Sequence, residues 1–364
     1  MLFHSPKLDS DDLDAIRLIE EAKASLGYAI QTPQRWTGLL YRYALGRAIQ
    51  GTNSIEGYNV SVEDAMAAVG GEEPLDADQE AWPNIVGYRV AMTYVIQLAD
   101  DPHFAYSEGL IRSLHYMMLQ HDLKKHPGQW RPGPIFVYDE EKKEQVYEGP
   151  DATIVPALVS ELMISLQDQN DPVLPMVRAA MAHLNLVMIH PYSDGNGRMA
   201  RCLQTLVLAR AGVPAPPFSS IEEELKNRRR EYYDVLAAVG RGSWHPANGT
   251  HAWVKFCLAA HRAQADRLLR QSRYLARLWE SLELLATRFG LPERAILALA
   301  DAAMGHKVRN ATYRNLAEIS NDVASRDLKL LVDAGLLVAR GERRGRYYVA
   351  AAPLIELRER TREA

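Results

Sequence analysis

The segment His190–Arg201 reads HPYSDGNGRMAR. No other stretch of this 364-residue sequence holds so many side chains that can transfer protons or bind metal ions and anions. A proline at 175 precedes it and Gly212 and Pro214 follow it, which are residues typical of helix starts and ends. Between these limits apolar residues recur at helical spacing, namely Val177, Met181, Leu184 and Met188 before the segment and Met199, Cys202, Leu203, Leu206 and Val207 after it. The segment is therefore predicted to be a loop between two buried helices.

The glycines of this loop point to an anion site. Gly195 and Gly197 allow backbone conformations that a side chain would resist, and they turn successive N–H groups toward the start of the second helix. A helix N-terminus favours phosphate. Arg198 and Arg201 share one face of that helix, and each can grip phosphate oxygens as a two-pronged donor.

Two further side chains supply acid–base and metal chemistry. Asp194 stands where Mg2+ that is bound to phosphate oxygens would need a carboxylate. His190, at the end of the first helix, can take a proton at neutral pH. A base, a metal ligand and a phosphate cradle in one loop indicate phosphoryl or nucleotidyl transfer.

Simpler interpretations of the loop account for fewer of its residues. A Gly-Asn-Gly turn alone is usually only a helix connection. A calcium loop with Gly195 or Gly197 at its sixth position would put His190 or Tyr192 first, where Asp is required. The spacing of a P-loop is absent from the sequence as well. The combination of residues, rather than any one of them, favours the functional interpretation.

The segment resembles the signature HxFx(D/E)GNGRxxR of the Fic family of nucleotidyltransferases, with Tyr192 in place of Phe. The resemblance implies that His190 deprotonates a target hydroxyl, which attacks the α-phosphate of ATP, so that AMP is transferred. It implies that Asp194 binds Mg2+ and that Asn196 and the backbone amides of Gly195 and Gly197 form the phosphate cradle. Arg198 and Arg201 would bind the phosphates that this cradle does not hold. The related Doc-like kinases carry Lys at the position of Gly197, so adenylylation is favoured over phosphorylation.

An upstream element resembles the inhibitory motif (S/T)xxxE(G/N) of the same family, which Thr52, Glu56 and Gly57 match. On local grounds Thr52–Gly57 reads as a polar turn after a helix over 36–49, whose apolar side is Leu39, Leu40, Tyr43 and Ala44. The resemblance implies that Glu56 pairs with Arg201 and blocks placement of the ATP γ-phosphate. It places the chain in the class with an N-terminal inhibitory helix.

Residues 135–147 depart from the helical pattern and predict a hairpin. The strand-like residues are Ile135, Phe136, Val137 and Tyr138 on one side and Gln145, Val146 and Tyr147 on the other, and the polar run 139–143 joins them. The hairpin resembles the target-docking flap of Fic proteins, which is preceded by a Gly-x-x-Arg element, here Gly128 and Arg131. Many relatives have Pro-Pro after the flap, where this chain has Gly149-Pro150. Strand addition at a flap draws its affinity from backbone hydrogen bonds.

Other helices are predicted over 10–24, with Ser10 as cap, and over 60–71, 83–98, 108–119, 152–166 and 221–239. In the helix over 83–98 the buried positions are expected to be Val86, Val90 and Tyr94. In the helix over 108–119 they are expected to be Ile111, Leu114 and Met118. The resemblance implies that Tyr232 or Tyr233 contacts the adenine. His115 and His121 have no partner cluster and are not predicted to bind a metal.

The C-terminal part resembles the winged helix-turn-helix that many bacterial Fic proteins carry. Helices are predicted over 295–303, 313–319 and 323–334, the last capped by Asn321 or Asp322 and ended by Gly335, followed by strands over 336–339 and 346–349. Residues 291–350 hold ten Lys/Arg and seven Asp/Glu, a mildly basic balance. DNA binding and protein docking therefore both stay open. DNA contacts would come from Ser325, Arg326, Lys329, Arg343, Arg344 and Arg346.

Composition sets wider limits. The net charge of −4 gives no general attraction to nucleic acid or membrane. Cys202 and Cys257 lie in apolar helical patterns and are expected to be buried free thiols. The N-terminus lacks the apolar core of a signal peptide, and the sequence has no apolar run of membrane-spanning length. These features predict a cytoplasmic protein.

The sequence thus predicts a mainly α protein: a Fic-type helical bundle with a β-hairpin flap and a C-terminal winged helix domain. Predicted segments are an N-terminal helical region at 1–110, the catalytic core at 111–273, a linker helix at 274–290, the winged helix domain at 291–352 and a tail at 353–364. The predicted function is transfer of AMP from ATP to a target protein, and on occasion to the enzyme itself, under autoinhibition by Glu56. Alternatives are removal of AMP with Glu56 positioning water, a DNA-binding regulator that senses a nucleotide, and transfer of another nucleotide. The target, the acceptor hydroxyl and homodimer formation stay open.

Overall fold

A computed structural model of the chain describes residues 1–31, 36–74, 80–139, 143–168, 172–213, 219–342 and 345–363, with 27–31 and 363 described in their backbone only. The helices are, in chain order, α1 (Ser10–Gln31), α2 (Thr37–Ile55), α3 (Val62–Gly70), α4 (Ala81–Ala99), α5 (Glu108–Leu119), α6 (Val155–Gln167), α7 (Pro175–Ile189), α8 (Asn196–Arg210), α9 (Glu222–Asn227), α10 (Arg229–Gly240), α11 (His251–Arg288), α12 (Ala295–Ala303), α13 (Asn310–Ala317), α14 (Asn321–Asp333) and α15 (Ala352–Glu363). Short 3-10 turns lie at Leu123–Lys125 and Ala152–Ile154. The mainly helical fold class is confirmed.

The strands form two small sheets. In the first sheet β1 (Phe136–Asp139) pairs antiparallel with β2 (Glu144–Glu148), and β2 pairs parallel with β3 (Gly242–Ser243). In the second, β4 (Leu337–Arg340) pairs antiparallel with β5 (Tyr347–Ala350). The predicted flap is therefore a hairpin, and β3 joins it from a distant part of the chain that the sequence pattern did not indicate.

Contacts within the chain group it into two compact units. The first contains Met1–Gly27, Arg47–Val60 and Asp78–Asp266, and the second contains Tyr28–Gly46, Ser61–Ala77 and Arg267–Ala364. Each unit is thus assembled from three separate segments. Helices α2 and α11 each have residues in both units.

The core of the first unit is built around α7 and α8, which pack on each other, with α4 packed against α5 and α8. Nearly every residue of α7 and α8 is buried, including the polar ones, as expected for helices surrounded by others. Both cysteines are buried and free, as predicted. None of the helices in the described ranges is long and apolar enough to cross a membrane.

A buried chain of polar side chains crosses this core. His183 Nδ1 donates to Gln204 Oε1 at 2.6 Å, and His183 Nε2 accepts from the Tyr232 hydroxyl at 3.0 Å. Gln204 Nε2 donates to His261 Nε2 at 2.9 Å. These partners fix one neutral tautomer for each histidine. Burial lowers the pKa of His183 and of His261 from 6.5 to about 3.

We expect this network to make the protein sensitive to mild acid. Because the folded-state pKa values lie below the unfolded value of 6.5, the unfolded chain binds more protons, and stability is lost as pH falls below 6.5. Each such histidine lowers the free energy of unfolding by about 1.4 kcal/mol between pH 7.5 and pH 5.5. Urea unfolding at pH 7.5 and at pH 5.5 measures the free energy of unfolding that is lost between these two values. This loss should be about 1.4 kcal/mol smaller in His183→Gln than in wild type. The exposed His103 provides the control His103→Gln, which should keep the wild-type difference. Equal differences in wild type and His183→Gln would contradict the assignment.

Several sequence predictions about helix ends are wrong in detail. The cap of α1 is Asp9 rather than Ser10, because Asp9 Oδ1 accepts from Asp12 N while Asp12 Oδ2 accepts from Asp9 N. The cap of α14 is Ser320, whose hydroxyl accepts from Val323 N, rather than Asn321 or Asp322. Ser61 does cap α3.

Helix α2 extends through Thr52–Ile55, which local composition predicted as a polar turn. Asn53 and Thr52 are fully buried, and Asn53 Nδ2 donates to the carbonyl of Ile49 one turn earlier. These tertiary contacts outweigh the weak helix preference of Thr, Asn and Ser. The helix ends at Ile55, and Gly57 in the turn that follows adopts a φ of 92°.

The buried face of α4 also differs from the prediction. Val86 and Val90 are only partly buried and Tyr94 is exposed, whereas the buried side chains are Ile85, Tyr88, Met92 and Val95. The predicted helix over 221–239 is two helices, because Arg228 between them has non-helical dihedral angles of −114° and 34°. The buried positions predicted for α5 are confirmed.

In the second unit the predicted helices and hairpin after residue 291 are present, with the strands one residue later than predicted. Residues 274–290 continue α11 through Arg288 without a break, and the residues predicted as a tail form α15. The buried Asp327 of α14 accepts hydrogen bonds from Arg294 and from the Tyr313 hydroxyl. Arg343, Arg344, Pro214 and residues 140–142 of the flap turn lie outside the described residues.

Candidate active site

The loop between α7 and α8 is shaped by two left-handed residues. His190 caps α7 with φ 50° and ψ 59°, and its N–H donates to the carbonyl of Leu186 at 3.1 Å. Gly195 precedes α8 with a φ of 78°, a conformation that favours glycine. The predicted loop between two buried helices is confirmed.

His190 is held in one tautomer by the backbone of its own helix. Its Nδ1 lies 2.9 Å from the carbonyl oxygen of Val187, so Nδ1 carries the proton and donates it. The other nitrogen, Nε2, is therefore the one with a lone pair. Burial lowers the pKa of His190, which keeps the ring neutral at physiological pH. This state can accept a proton from a substrate hydroxyl.

Asn196 closes the loop on itself. Its Oδ1 accepts from Tyr192 N at 2.9 Å, and its Nδ2 donates to the carbonyl of Tyr192 at 2.8 Å. Because the side-chain amide is used within the loop, we expect phosphate binding by Asn196 to come from its backbone N–H at the first position of α8.

The ring of Tyr192 is fully buried and stacks on His115, with ring centroids 3.6 Å apart and an angle of 4° between the planes. Trp130 also packs on the Tyr192 ring, with the ring centroids 5.2 Å apart. Within the part of the chain that the structure describes, the Tyr192 hydroxyl has no hydrogen-bond partner. Tyrosine therefore fills the position of the family's phenylalanine through its ring.

His115 contacts the loop directly, although the sequence pattern assigned it no role and only argued against a metal site there. Its Nδ1 accepts from Gly128 N at 2.8 Å, and its Nε2 donates to the carbonyl of Asp194 at 2.9 Å. Burial lowers the pKa of His115 to about 4, so it stays neutral. The only sequence signal was its place on the buried face of α5 beside Ile111, Leu114 and Met118.

Arg131 ties the loop to the base of the flap. Its Nε donates to the carbonyl of His190 at 2.8 Å, its Nη1 donates to the carbonyl of Gly133 at 2.6 Å, and its Nη2 donates to the carbonyl of Pro150. Its backbone N–H donates to the carbonyl of Pro191 at 2.9 Å. One buried side chain thus fixes the position of the flap relative to His190.

The flap lies beside the loop with one strand at its edge. The hydroxyl of Tyr147 donates to the carbonyl of Met188 at 2.8 Å, and this anchors β2 on α7. Gly149 N donates to the carbonyl of Ile135 at 3.0 Å, which closes the hairpin below β1. In the order β1-β2-β3 the strand β1 is at an edge, and its Phe136 is 40% exposed while Val137 is partly buried. A further strand can pair there.

Asp194 is surrounded by cationic groups. Its Oδ1 accepts from Gly195 N at 2.6 Å, and its Oδ2 lies 2.6 Å from Lys125 Nζ and 3.7 Å from Arg198 Nη2. Burial alone would raise the pKa of Asp194, but the Lys125 contact and the Arg198 charge outweigh it and lower the pKa. A partly exposed, ionised carboxylate beside a phosphate cradle fits the way proteins hold Mg2+, through one or two carboxylates together with substrate phosphates.

The two arginines of the loop keep nitrogens available for phosphate. Arg198 is fully buried, and its Nη1 donates to Asn84 Oδ1 at 2.6 Å. Among the described residues, Nε and Nη2 of Arg198 and Nη1 of Arg201 have no hydrogen-bond partner. Buried donors of this kind are costly unless a ligand pairs with them. The arrangement therefore fits an anionic ligand.

The carboxylate of Glu56 contacts the second arginine. Glu56 Oε1 lies 2.5 Å from Arg201 Nη2, and Thr52 Oγ1 accepts from Arg201 Nε at 2.8 Å. Burial would lower the pKa of Arg201, but the Glu56 charge outweighs it and raises the pKa. A Cβ on Gly197 would lie 2.6 Å from Glu56 Oε1, so glycine at 197 is what leaves room for this carboxylate.

The two tyrosines of α10 differ in exposure. Tyr232 is 1% exposed and packs among His183, Trp253 and Phe256. Tyr233 is 41% exposed, and its hydroxyl donates to the carbonyl of Ile55 at 3.3 Å. Of the two, only Tyr233 has a surface that a nucleotide base can reach. The exposure thus favours Tyr233 of the two residues, and the adenine contact stays a prediction.

Comparison with known proteins agrees with this geometry. Residues 105–208 match the Fic/DOC family. The chain is 34% identical over 135 residues to protein adenylyltransferase fic-1 of Caenorhabditis elegans, and 31% identical over 192 residues to protein adenylyltransferase Fic of Culex quinquefasciatus. These matches cover 34% and 51% of this chain, but only 25% and 34% of the relatives, so most of each relative's length lies outside the match.

Similar folds are found among solved structures. A Fic family protein from Desulfovibrio desulfuricans G20 superposes with a TM-score of 0.61 at 21% identity, over 96% of this chain and 98% of that one. Fic-1 (residues 134–508) from C. elegans superposes with a TM-score of 0.54 at 22% identity, over 71% and 72% of the two chains. Residues 105–208, which contain the signature loop, are thus the part of the chain that matches the Fic/DOC family.

Proposed function

We propose that the protein is a protein adenylyltransferase, which transfers AMP from ATP to a hydroxyl side chain of a target protein. The observation that carries the proposal is the arrangement of the signature loop. A neutral histidine with a lone pair on Nε2 lies in the same loop as an ionised aspartate and two arginines with unpaired buried nitrogens. Relatives that are named protein adenylyltransferases support the same reaction.

In the proposed reaction His190 Nε2 takes the proton of the target hydroxyl, and the hydroxyl oxygen forms a bond to the α-phosphorus of ATP. The bond from that phosphorus to the oxygen bridging to the β-phosphate breaks, and pyrophosphate leaves with the electron pair. Asp194 would hold Mg2+, which neutralises phosphate charge when bound. The amides of Gly195, Asn196 and Gly197 and the two arginines would hold the phosphates.

We also propose that Glu56 inhibits the enzyme. Its carboxylate accepts from Arg201 Nη2, which a γ-phosphate would otherwise engage, and Thr52 Oγ1 accepts from Nε of the same guanidinium. ATP that binds without this contact would leave its α-phosphate away from His190. Thr52 supports the arrangement by accepting a hydrogen bond from Arg201. Gly57 supports it by forming the turn that follows α2, next to Glu56.

For the other substrates, we propose that the target pairs with the edge strand β1 of the flap, at Phe136 and Val137, and that Tyr233 contacts the adenine. Self-modification would follow if a hydroxyl of the protein reaches the flap. The second unit is proposed to contain a winged helix built by α12–α14 and the β4–β5 hairpin. Ser325, Arg326 and Lys329 are exposed there, which suits binding of DNA or of a protein. The homodimer and the cytoplasmic location remain predictions.

The reaction can be tested with Glu56→Gly protein and ATP that carries radioactive phosphorus at either the α or the γ position. Adenylylation attaches the α label to protein and releases the γ label in pyrophosphate, whereas phosphorylation attaches the γ label. Incorporation of the α label alone would support the proposal. Incorporation of the γ label alone, or of neither label in the presence of candidate targets, would contradict it. Release of AMP from a modified target by the wild type would instead favour the reverse reaction.

A further inference from the structure

Asp194 already has a cationic partner that no part of the signature provides. Lys125 Nζ lies 2.6 Å from Asp194 Oδ2, and the two side chains are 29% and 34% exposed. The other carboxylate oxygen, Oδ1, accepts from Gly195 N at 2.6 Å. Both oxygens of the carboxylate are therefore engaged within the protein.

The contact is fixed by the backbone on both sides. Lys125 ends a short 3-10 turn that Asp122 begins, since the Asp122 side chain accepts from Lys124 N at 3.1 Å. Three residues later Gly128 N donates to His115, and the same histidine donates to the carbonyl of Asp194. The buried ring of His115 thus connects the segment that carries Lys125 with Asp194, the residue that Lys125 contacts. The pairing is a built feature of the fold rather than the chance position of a long side chain.

We propose that Lys125 is an internal counter-ion of Asp194, which a divalent metal ion must displace, so that Lys125 sets the affinity of the site for metal. The proposal rests on the proposed function, because it takes Asp194 as the metal ligand. Mg2+ coordinates a carboxylate oxygen at about 2.0–2.1 Å. An ammonium group in contact with the same oxygen would face the metal at close range, and the two positive charges repel.

The consequence is a metal affinity that is lower than Asp194 alone would provide. Loss of the ammonium group removes both the contact to be broken and a nearby positive charge, so the metal should bind more tightly. For a partly exposed ion pair the expected change in the dissociation constant is about threefold to tenfold. Lys124 is exposed and adjacent, so its substitution removes the same charge without touching Asp194.

The test measures Mn2+ binding by titration calorimetry, both with Mn2+ alone and in the presence of ADP. The proteins are wild type, Lys125→Met, Lys124→Met and Asp194→Ala. The proposal expects tighter binding in Lys125→Met by about threefold to tenfold, a change of less than about twofold in Lys124→Met, and loss of the site in Asp194→Ala.

The outcomes separate this proposal from the proposed function. Equal or weaker Mn2+ binding in Lys125→Met, with binding still lost in Asp194→Ala, would overturn the role of Lys125 and leave the metal role of Asp194 intact. Equally tighter Mn2+ binding in both lysine variants would mean that the change comes from net charge alone. This result would also overturn the role of Lys125. Mn2+ binding that does not depend on Asp194, or no binding under either condition, would remove the metal assignment, and the proposal would fall with it.

Discussion

Replacing Glu56 by glycine is expected to raise the rate of AMP transfer by about tenfold to a hundredfold. The carboxylate makes a charge-assisted hydrogen bond to Arg201 at 2.5 Å, and such bonds contribute about 1.5–3 kcal/mol. Without it, Arg201 Nη2 becomes available to the γ-phosphate. Initial rates of α-labelled AMP incorporation into a fixed target measure the change.

The chain offers a matched control for this substitution. Ser54 lies two residues earlier, in the last turn of α2, and is partly buried. Ser54→Gly therefore loosens the end of this helix while it keeps the Glu56 carboxylate. Ser54→Gly should retain a rate within about fivefold of wild type, because helical glycine costs only about 1 kcal/mol. Similar activation in both variants would attribute the effect to helix loosening, and the inhibitory role of the Glu56 carboxylate would be wrong.

Replacing His190 by alanine in the Glu56→Gly protein is expected to lower AMP transfer by at least about a hundredfold. A positioned general base contributes about 10²–10⁴ in rate, and among the described residues of the loop His190 is the one with a neutral nitrogen lone pair held in place, by Val187. Single-turnover measurements of AMP transfer give the size of the loss.

Nucleotide binding distinguishes a lost base from a damaged fold. Because the His190 ring is hydrogen-bonded to its own helix, at the carbonyl of Val187, we expect the alanine variant to bind ATP within about threefold of the parent protein, measured by calorimetry. The exposed His121 provides a second control, since His121→Ala removes an imidazole from the same region without touching the loop. A His190→Ala protein that binds ATP and transfers AMP at the parent rate would exclude His190 as the base.

The signature loop could be predicted from the sequence because its information is local. The helix pattern before and after it, and the glycines within it, lie inside forty residues of chain, so their spacing fixes their relative positions. Glu56 lies 145 residues from Arg201, and only the resemblance to a known motif connected the two. Composition at that point predicted a turn, where contacts from distant residues make the last turn of α2.

His115 and Lys125 show where such prediction stops. Each contacts Asp194 from a separate part of the chain, and neither belongs to a pattern that marks it as part of the site. The buried face of α4 was missed for a different reason. Apolar residues of that helix are spread around its circumference, so their periodicity favours no single face. Packing against α5 and α8 decides that Tyr88 and Met92 point inward.

The interleaving of the two compact units has a consequence for the order in which the protein can fold during synthesis. Residues 28–46 and 61–77 belong to the unit that is completed by Arg267–Ala364. A chain that is made from its N-terminus therefore exposes these early segments until the last helices have left the ribosome. Helix α2 begins within residues 28–46, the first of these early segments, and ends beside Glu56. Helix α2 is thus synthesised before the C-terminal segment, and its N-terminal half meets the rest of its unit only after that segment has been made.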